Sequence, residues 1–292
     1  MNNSLSFSGH ESFPCKYFWL KKGYDFVKKQ HSFTQPEAVV QLGVGKNMVA
    51  AIRFWLKAFG LTDDKDGLKN IAKLLFEDNG DPYLEDIGTV WLLHYLLVTT
   101  ERSSIYSLLF NEFRKNYVEF SRDDLAKFIQ QKCDETKSIY NENTVRTDIG
   151  VFIKNYHRPT NKIAEKIEKI EDDFSTVLLD LNLLKTVERA DKKEVFYFNS
   201  DRRVIPLPIL LYAILQQLNG NPSINFNQLL NNSNQIGNVF MLNAEQLYEY
   251  LKALAREYPF ILLSDNAGVR TLQFKETINS SDLLNQYYAT TV

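Results

Sequence analysis

The sequence predicts a mainly α-helical α+β protein with small β-hairpins, built from tandem helix-turn-helix or winged-helix-like units. Most of the chain carries apolar residues at helical spacing, whereas two pairs of short apolar stretches flank turn-forming segments, as hairpin strands do. Only 12 of the 292 residues are glycine and 8 are proline, which disfavours an all-β protein with many turns. With 44% hydrophobic residues the chain can bury sizeable cores, so global disorder is excluded.

Three domains are predicted within this length. They are a basic N-terminal helix-turn-helix domain at 1–116, a middle helical domain with a β-hairpin at 117–219, and a C-terminal winged-helix-like domain at 220–292. No apolar run approaches the roughly 18 residues of a membrane span, and the N-terminus lacks the pattern of a signal peptide. The two cysteines are too few for a disulfide framework or a cysteine zinc site. We therefore expect a cytoplasmic protein that does not enter a membrane.

The N-terminal segment joins a polar pair to a lysine-rich helix. His10 and Glu11 are adjacent in FSGHESF. They form either a metal-ligand or acid/base pair, or a polar turn before the helix predicted at about 13–29. A single His–Glu dipeptide lacks the second His of a zinc-protease motif, which favours the turn. Lysines, among them Lys21 and Lys22, line the exposed side of the predicted helix.

The stretch at 36–60, PEAVVQLGVGKNMVAAIRFWLKAFG, predicts a short helix, a glycine turn and a longer helix. Gly43 and Gly45 permit a tight turn, and Gly60 stands where a helix-terminating glycine is expected. This order is the helix-turn-helix pattern, whose second helix enters the DNA major groove in known cases. A P-loop is excluded, because Val40 stands where that motif needs its first glycine and Asn47 where it needs Ser or Thr.

The longer helix has one apolar and one basic face. Its apolar face is expected to carry Met48, Ile52, Trp55, Leu56 and Phe59. Lys46, Arg53 and Lys57 fall within an arc of roughly 40° on the other side, beside Asn47 and the small Ala50. This side is either a DNA-contacting surface, on which Arg53 and Asn47 read base edges while Lys46 and Lys57 neutralise phosphates, or a solvated basic helix face.

Charge is distributed unevenly along the chain. The net charge is −2, yet residues 1–57 hold eight Lys and Arg against three Asp and Glu. That part is therefore +5 and the remainder −7. The asymmetry places any anion-binding face in the N-terminal part.

Carboxylates cluster before the apolar helix predicted at 87–98. Asp78, Asp81, Glu85 and Asp86 either cap this helix or hold a divalent metal such as Mg²⁺ or Mn²⁺, and capping is favoured. Within the helix, His94 is expected to be a hydrogen-bonded core residue.

The middle part predicts two helices followed by a hairpin. Ser121 and Asp124 have capping-box spacing before the first helix. The second carries Arg146 and Lys154 on its polar side and is either a second nucleic-acid face or an interdomain or dimer helix. A solvated connection is expected at 160–172. After it, strands at 183–187 and 195–198 form the hairpin, and an apolar helix follows at 209–218.

The C-terminal part has the element order of a winged helix. Helices are predicted at 225–232 and 244–257, followed by strands at 260–263 and 269–274 joined by a turn that contains Gly268. The second helix exposes several glutamates, so it is expected to mediate protein contacts or homodimerisation rather than to enter DNA.

Several unusual sequence words occur in order: FSGHESF, YFWLKKGYD, LGVGKNMVAAIRFW, DPYLED with WLLHYLL, and DNAGVRTL with LLNQYY. Through them the chain resembles a bacterial family long classed as a domain of unknown function and found beside DNA phosphorothioation genes. That family includes the nicking component B of the single-stranded (Ssp) phosphorothioation system. The similarity is specific in the N-terminal third and looser from 100 to 220.

The resemblance implies a DNA-acting protein of phage defence that works with a cysteine desulfurase, an ATPase and an ATP-pyrophosphatase-like enzyme. The sequence words shared with the family include His10, Glu11, Asp81, Glu85 and Asp86, and the resemblance makes these the candidate catalytic residues of a metal-dependent nickase. The shared words also include Lys46, Asn47 and Arg53 of the basic helix. No recognised nuclease motif is present, so the sequence predicts DNA binding, with or without nicking. The alternative is a non-enzymatic winged-helix regulator or scaffold.

Overall fold

Helices dominate the computed structural model, which describes residues 4–77, 79–157, 176–188, 194–201, 203–218, 220–266 and 268–291. Two three-stranded antiparallel sheets lie among the helices. The predicted mainly helical α+β class is therefore confirmed. Asp78 and the connection predicted at 160–172 lie outside the described residues.

Five helices form the N-terminal part as far as its residues are described. They are α1 (Trp19–Lys28), α2 (Ala38–Leu42), α3 (Lys46–Ala58), α4 (Asn70–Phe76) and α5 (Ile87–Thr99). Helix α1 begins later than predicted, because the preceding residues bond to distant parts of the chain. The backbone N–H of Cys15 donates to Asn155 Oδ1 at 3.1 Å, and Lys16 forms a β-bridge with Thr176.

The glycine turn between α2 and α3 has the predicted form. Gly43 is left-handed with φ 62°, and Gly45 is the extended N-cap residue of α3. Gly60, with φ 64°, follows the end of α3, as expected of a helix-terminating glycine.

The middle part contains α6 (Ser104–Leu108), a π-helical turn (Leu109–Phe113), α7 (Arg114–Asn116), α8 (Arg122–Thr136) and α9 (Glu142–Tyr156). Ser121 and Asp124 form the predicted capping box at the start of α8. The predicted hairpin is also present, as β2 (Leu184–Glu188) and β3 (Glu194–Phe198). A third strand, β1 (Glu119–Phe120), extends the sheet beside β3. Two residues are too short for a periodic signal, so sequence reasoning missed β1.

The C-terminal part comprises α10 (Leu207–Gln217), β4 (Ser223–Asn225), α11 (Phe226–Asn231), α12 (Ile236–Val239), α13 (Ala244–Glu257), β5 (Ile261–Asn266), β6 (Val269–Phe274) and α14 (Ser280–Thr291). The predicted β5–β6 hairpin gains β4, giving the strand order β4-β6-β5. Asn225 and Asn243 close capping boxes at the starts of α11 and α13.

Buried polar contacts join the N-terminal part to the rest of the chain. Tyr288 of α14 bonds to Thr89 of α5 at 3.0 Å. His94 is the predicted core residue: its Nε2 donates to Val239 O, and its Nδ1 accepts from the Tyr156 hydroxyl, both at 2.8 Å. The three-domain division stays a prediction. No helix in the described part of the chain is both long and apolar enough to cross a membrane.

Candidate nucleic-acid interface

Helix α3 presents the two faces that its sequence predicts. Ile52, Trp55, Leu56 and Phe59 are fully buried, and Met48 is half-buried. The opposite side exposes Lys46, Asn47 and Ala50 at the start of the helix. The apolar face therefore anchors α3 in the core, and its outer face is open to a partner.

Two of the predicted DNA-contacting cations are bound to one carboxylate. Arg53 Nη2 lies 2.8 Å from Asp66 Oδ2, and Lys57 Nζ lies 2.9 Å from Asp66 Oδ1. Burial opposes ionisation of Asp66, but the hydrogen bonds from Arg53 and Lys57 outweigh it and hold the pKa of the carboxyl below its usual value. In turn, the hydrogen bond to Asp66 raises the pKa of Arg53. The basic stripe is thus partly neutralised within the chain.

The turn at 63–67 holds Asp66 in this position. Asp63 Oδ1 accepts the backbone N–H groups of Lys65 and Gly67, both at 2.8 Å, which is the bonding of an Asx turn. Asp66 itself has a left-handed backbone, with φ 66°. The neighbouring Asp64 pairs with Arg102 at 2.6 Å. We call residues 63–67 the acidic turn.

A groove of about 700 Å³ runs along the outer face of α3. Its cationic lining residues are Lys46, Arg53, Lys57 and Arg102, and its apolar ones include Phe33, Val49, Ala50 and Phe54. Lys46 makes no ion pair with another described residue. We call this the α3 groove.

Lys21 and Lys22 do not line the α3 groove. They line a separate groove of about 310 Å³ beside α1. Lys21 is paired with Asp25 at 2.6 Å, and Lys22 Nζ donates to the carbonyl of Leu42 at 3.2 Å. Asn47, although exposed, lines neither of these two grooves. The structure therefore brings together only three of the six predicted DNA-contacting residues, namely Lys46, Arg53 and Lys57.

The His10–Glu11 pair lies in a loop that packs on α3. His10 is buried, and its ring stacks on Trp55 with centroids 6.1 Å apart. Its Nδ1 accepts the backbone N–H of Ser12 at 3.2 Å, so the neutral ring carries its proton on Nε2, which donates to Asp148 at 3.0 Å. Glu11 is exposed.

Asp148 of α9 is the partner that sequence reasoning missed. It is buried, and it also accepts the backbone N–H of Ser8 at 3.0 Å. The available signal was its position beside Val145 and Ile149, on the apolar face of a predicted helix. A carboxylate there needs polar partners, and the loop supplies them.

The short loop that carries His10 and Glu11 has several residues with a left-handed backbone. Ser8, Gly9, Glu11 and Ser12 all have positive φ, from 49° to 102°. Such conformations cost free energy unless the surroundings enforce them. A Cβ at Gly9 would lie only 2.5 Å from Phe54 Cδ2, so the loop touches α3 where no side chain fits. Gly9 also lines the α3 groove.

The carboxylates before α5 have the geometry of caps. Asp81 is buried, and its two oxygens accept the backbone N–H groups of Glu85 and Asp86 at 2.9 and 3.0 Å. Asp86 is the N-cap residue of α5; its Oδ2 accepts from the backbone of Thr89 at 3.1 Å and from the Tyr287 hydroxyl at 2.6 Å. Glu85 is exposed.

These carboxylates do not fit a preformed magnesium or manganese site. Among the described residues, no group of three His, Cys, Asp or Glu side chains is placed to hold a metal. Within the same residues, no hydrogen bond joins the loop at His10 and Glu11 to Asp81, Glu85 or Asp86. The five candidate catalytic residues therefore do not form one bonded cluster.

Comparisons with known proteins cover nearly the whole chain. A solved structure described as "SspB crystal structure" is 28% identical and superposes with a TM-score of 0.84, covering 97% of this chain and 88% of the other. A second, described as "Magnesium ion-bound SspB crystal structure", is 26% identical with a TM-score of 0.82 and the same coverage. No curated protein sequence matches. The family model "Protein of unknown function (DUF4007)" matches residues 7–288, and the chain thus belongs to the DUF4007 family.

Proposed function

We propose that this protein is the DNA-binding component of a bacterial DNA phosphorothioation system that serves in phage defence. Its similarity to SspB over 97% of the chain supports a role in the Ssp type of that system. A cysteine desulfurase, an ATPase and an ATP-pyrophosphatase-like enzyme are its proposed partners. They would carry out the sulfur chemistry, for which no residue of this chain is assigned.

The α3 groove is the observation that supports DNA binding. Lys46, Arg53 and Lys57 of the helix that follows the glycine turn line it together with Arg102. Lys46 and Arg102 are exposed, whereas only 12% of the Lys57 side chain is exposed. Lysine and arginine neutralise phosphates and release the counterions bound to them, which drives association with DNA. Lys46 is exposed and has no intramolecular ion pair among the described residues, so it is assigned to a phosphate.

Charge reversal at Lys46 tests this proposal. Fluorescence anisotropy of a labelled DNA duplex would be measured against salt concentration for wild type, Lys46→Glu and the control Lys73→Glu. Lys73 is an exposed lysine of α4 outside the α3 groove. Lys46→Glu should weaken binding and lower the salt slope by about one, whereas Lys73→Glu should change neither. Equal binding by all three proteins would contradict the assignment.

We propose nicking as a separate, narrower activity, with Glu11 and Glu85 as the exposed candidates and His10, Asp81 and Asp86 as the buried or bonded ones. Its support is the resemblance and the magnesium ion in one similar structure. We assign no catalytic step to these residues, because the described carboxylates do not form a metal site.

Plasmid relaxation tests the nicking proposal. Supercoiled plasmid would be incubated with protein and Mg²⁺ or Mn²⁺, and with EDTA as the control. The Glu11→Ala and Glu85→Ala variants should keep the fold, since both side chains are exposed. Loss of open-circle product in either variant, with metal dependence, supports the site. Nicking that survives both substitutions and EDTA contradicts it.

The second candidate function is a winged-helix regulator or scaffold without catalysis. It is supported by the C-terminal order of helices followed by the β5–β6 hairpin, with strands arranged β4-β6-β5, an order that winged helices share. Glu245, Glu249 and Glu257 lie on α13, which favours protein contacts or a homodimer over DNA. Sequence-specific duplex binding without metal and without nicking, together with a dimer mass by light scattering, would support this function.

A further inference from the structure

The outer face of α3, which a helix-turn-helix protein would offer to a DNA major groove, forms part of the lining of the α3 groove. The segment from Phe33 to Ala38 also lines it, and this segment is anchored at both ends because those two side chains are buried. Arg102 is a further lining residue, and it is bound to the acidic turn, as is Arg53 of α3. The outer face of α3 is therefore part of a groove whose lining comes from several segments of the chain.

The loop at Gly9 also lines the α3 groove. Its glycine lies against Phe54, and the loop is bonded to the buried Asp148 through Ser8 N and His10 Nε2. The part of the groove that the loop forms is therefore held in place by the hydrogen bonds between the loop and Asp148. Preformed concave sites with an apolar lining and a few placed polar groups are typical of small-ligand binding.

The lining combines apolar and cationic groups in separate places. Ala50 and the half-buried Phe54 supply apolar and aromatic surface on α3, whereas Lys46 and Arg102 supply positive charge at exposed positions. The Arg102–Asp64 pair is largely exposed, so it is weak enough to give way to an anionic ligand. A ligand that fits is planar and apolar in one part and anionic in another.

We propose that the α3 groove binds a single unpaired nucleotide of a DNA strand, with the base against Ala50 and Phe54 and the flanking phosphates near Lys46 and Arg102. This inference rests on the proposed DNA-binding function and specifies the ligand of that site. The groove volume of about 700 Å³ lies within the roughly 300–1,000 Å³ of small-ligand sites. An aromatic side chain accepts any base, because every base has a π-face on which to stack.

The test compares paired and unpaired DNA with the full chain. One duplex carries 2-aminopurine opposite thymine, and a second carries it opposite an abasic site, so that the base leaves the helix at little cost. We expect the second duplex to bind at least about tenfold more tightly, a difference of about 1.4 kcal/mol, and its 2-aminopurine fluorescence to change on binding.

Ala50→Trp is the decisive variant, since Ala50 is exposed and lines the groove, so a large side chain there fills the site without entering the core. It should abolish both the preference and the fluorescence change. Val40→Trp is its control, because Val40 is 83% exposed and outside the groove.

The outcomes separate this inference from the proposed function. Equal affinity for the two duplexes, or a preference that Ala50→Trp leaves intact, overturns the inference while DNA binding stands. Failure to bind any DNA overturns the proposed function and the inference together. Binding of a polyglutamate peptide that Ala50→Trp blocks, with no preference for unpaired DNA, would make the groove an acidic-peptide site and overturn the inference.

Discussion

Arg53 of α3 and Asp66 of the acidic turn form a two-pronged ion pair, with Arg53 Nε 2.9 Å from Oδ1 and Nη2 2.8 Å from Oδ2. Lys57 binds the same carboxylate from the next turn of the helix. A single acidic residue therefore controls two of the four cations in the α3 groove. The charge that α3 offers to DNA thus depends on Asp66 as well as on the lysines and arginines.

Neutralising Asp66 should strengthen DNA binding. In Asp66→Asn, Arg53 and Lys57 lose a competing anion and become available to phosphates, so affinity should rise and the salt slope should steepen by about one to two. Anisotropy titrations across salt concentrations measure both quantities. Asp265→Asn is the matched control, because Asp265 also pairs with an arginine, Arg270, but in the β5–β6 hairpin. Weaker binding by Asp66→Asn would show instead that Asp66 orients Arg53 for its DNA contact.

Removing Asp148 should destabilise the protein. Asp148→Ala leaves the Nε2–H of the buried His10 and the backbone N–H of Ser8 without their acceptor, and an unmet buried donor costs about 1–3 kcal/mol. We expect a loss of about 2 kcal/mol in the free energy of unfolding, measured in urea. Asp123→Ala removes an exposed carboxylate paired with Arg146 and should cost less than about 0.5 kcal/mol. Similar losses in both variants would contradict the role of Asp148 as the anchor of the loop.

Gly9→Ala should be more harmful than Gly43→Ala. Both positions have positive φ, but only Gly9 would place a Cβ against another residue, 2.5 Å from Phe54 Cδ2. The added steric conflict should cost about 1–3 kcal/mol beyond the shared backbone strain. Urea unfolding followed by tryptophan fluorescence measures the difference, since Trp55 lies beside Phe54. Equal destabilisation would mean that the loop moves away from α3 without cost.

His94 should make the protein sensitive to moderate acid. Burial lowers the pKa of His94 from 6.5 to about 4, so the folded state favours the neutral ring. This contribution to stability is complete above pH 6.5 and is lost as the pH falls towards 4. Between about pH 7 and pH 5, the resulting loss in the free energy of unfolding is about 2 kcal/mol.

The His94→Gln variant isolates this effect from the titration of carboxylates. It should be less stable than wild type at about pH 7 but should lose about 2 kcal/mol less on going to about pH 5. Urea midpoints at the two pH values measure the difference. Parallel losses in wild type and variant would contradict the assignment.

Local signals were sufficient for most of the helices and for both hairpins. The α3 helix and its glycine turn follow from the helical spacing of apolar residues and from Gly43, Gly45 and Gly60, because periodicity and left-handed backbone preference are properties of neighbouring residues. The capping box of Ser121 and the strands β5 and β6 followed from equally local patterns. The short strands β1 and β4 were missed because their existence depends on a distant partner strand.

The sequence by itself determined the fold class, the faces of α3, the core position of His94 and the concentration of positive charge near the N-terminus. Only the tertiary structure decided that Asp66 neutralises Arg53 and Lys57, that Asp148 anchors the loop at His10, and that Lys21 and Lys22 lie apart from the α3 groove. Each of these depends on residues that are far apart in the chain or face each other across a turn. Their contacts are set by packing in three dimensions, which residue spacing does not encode.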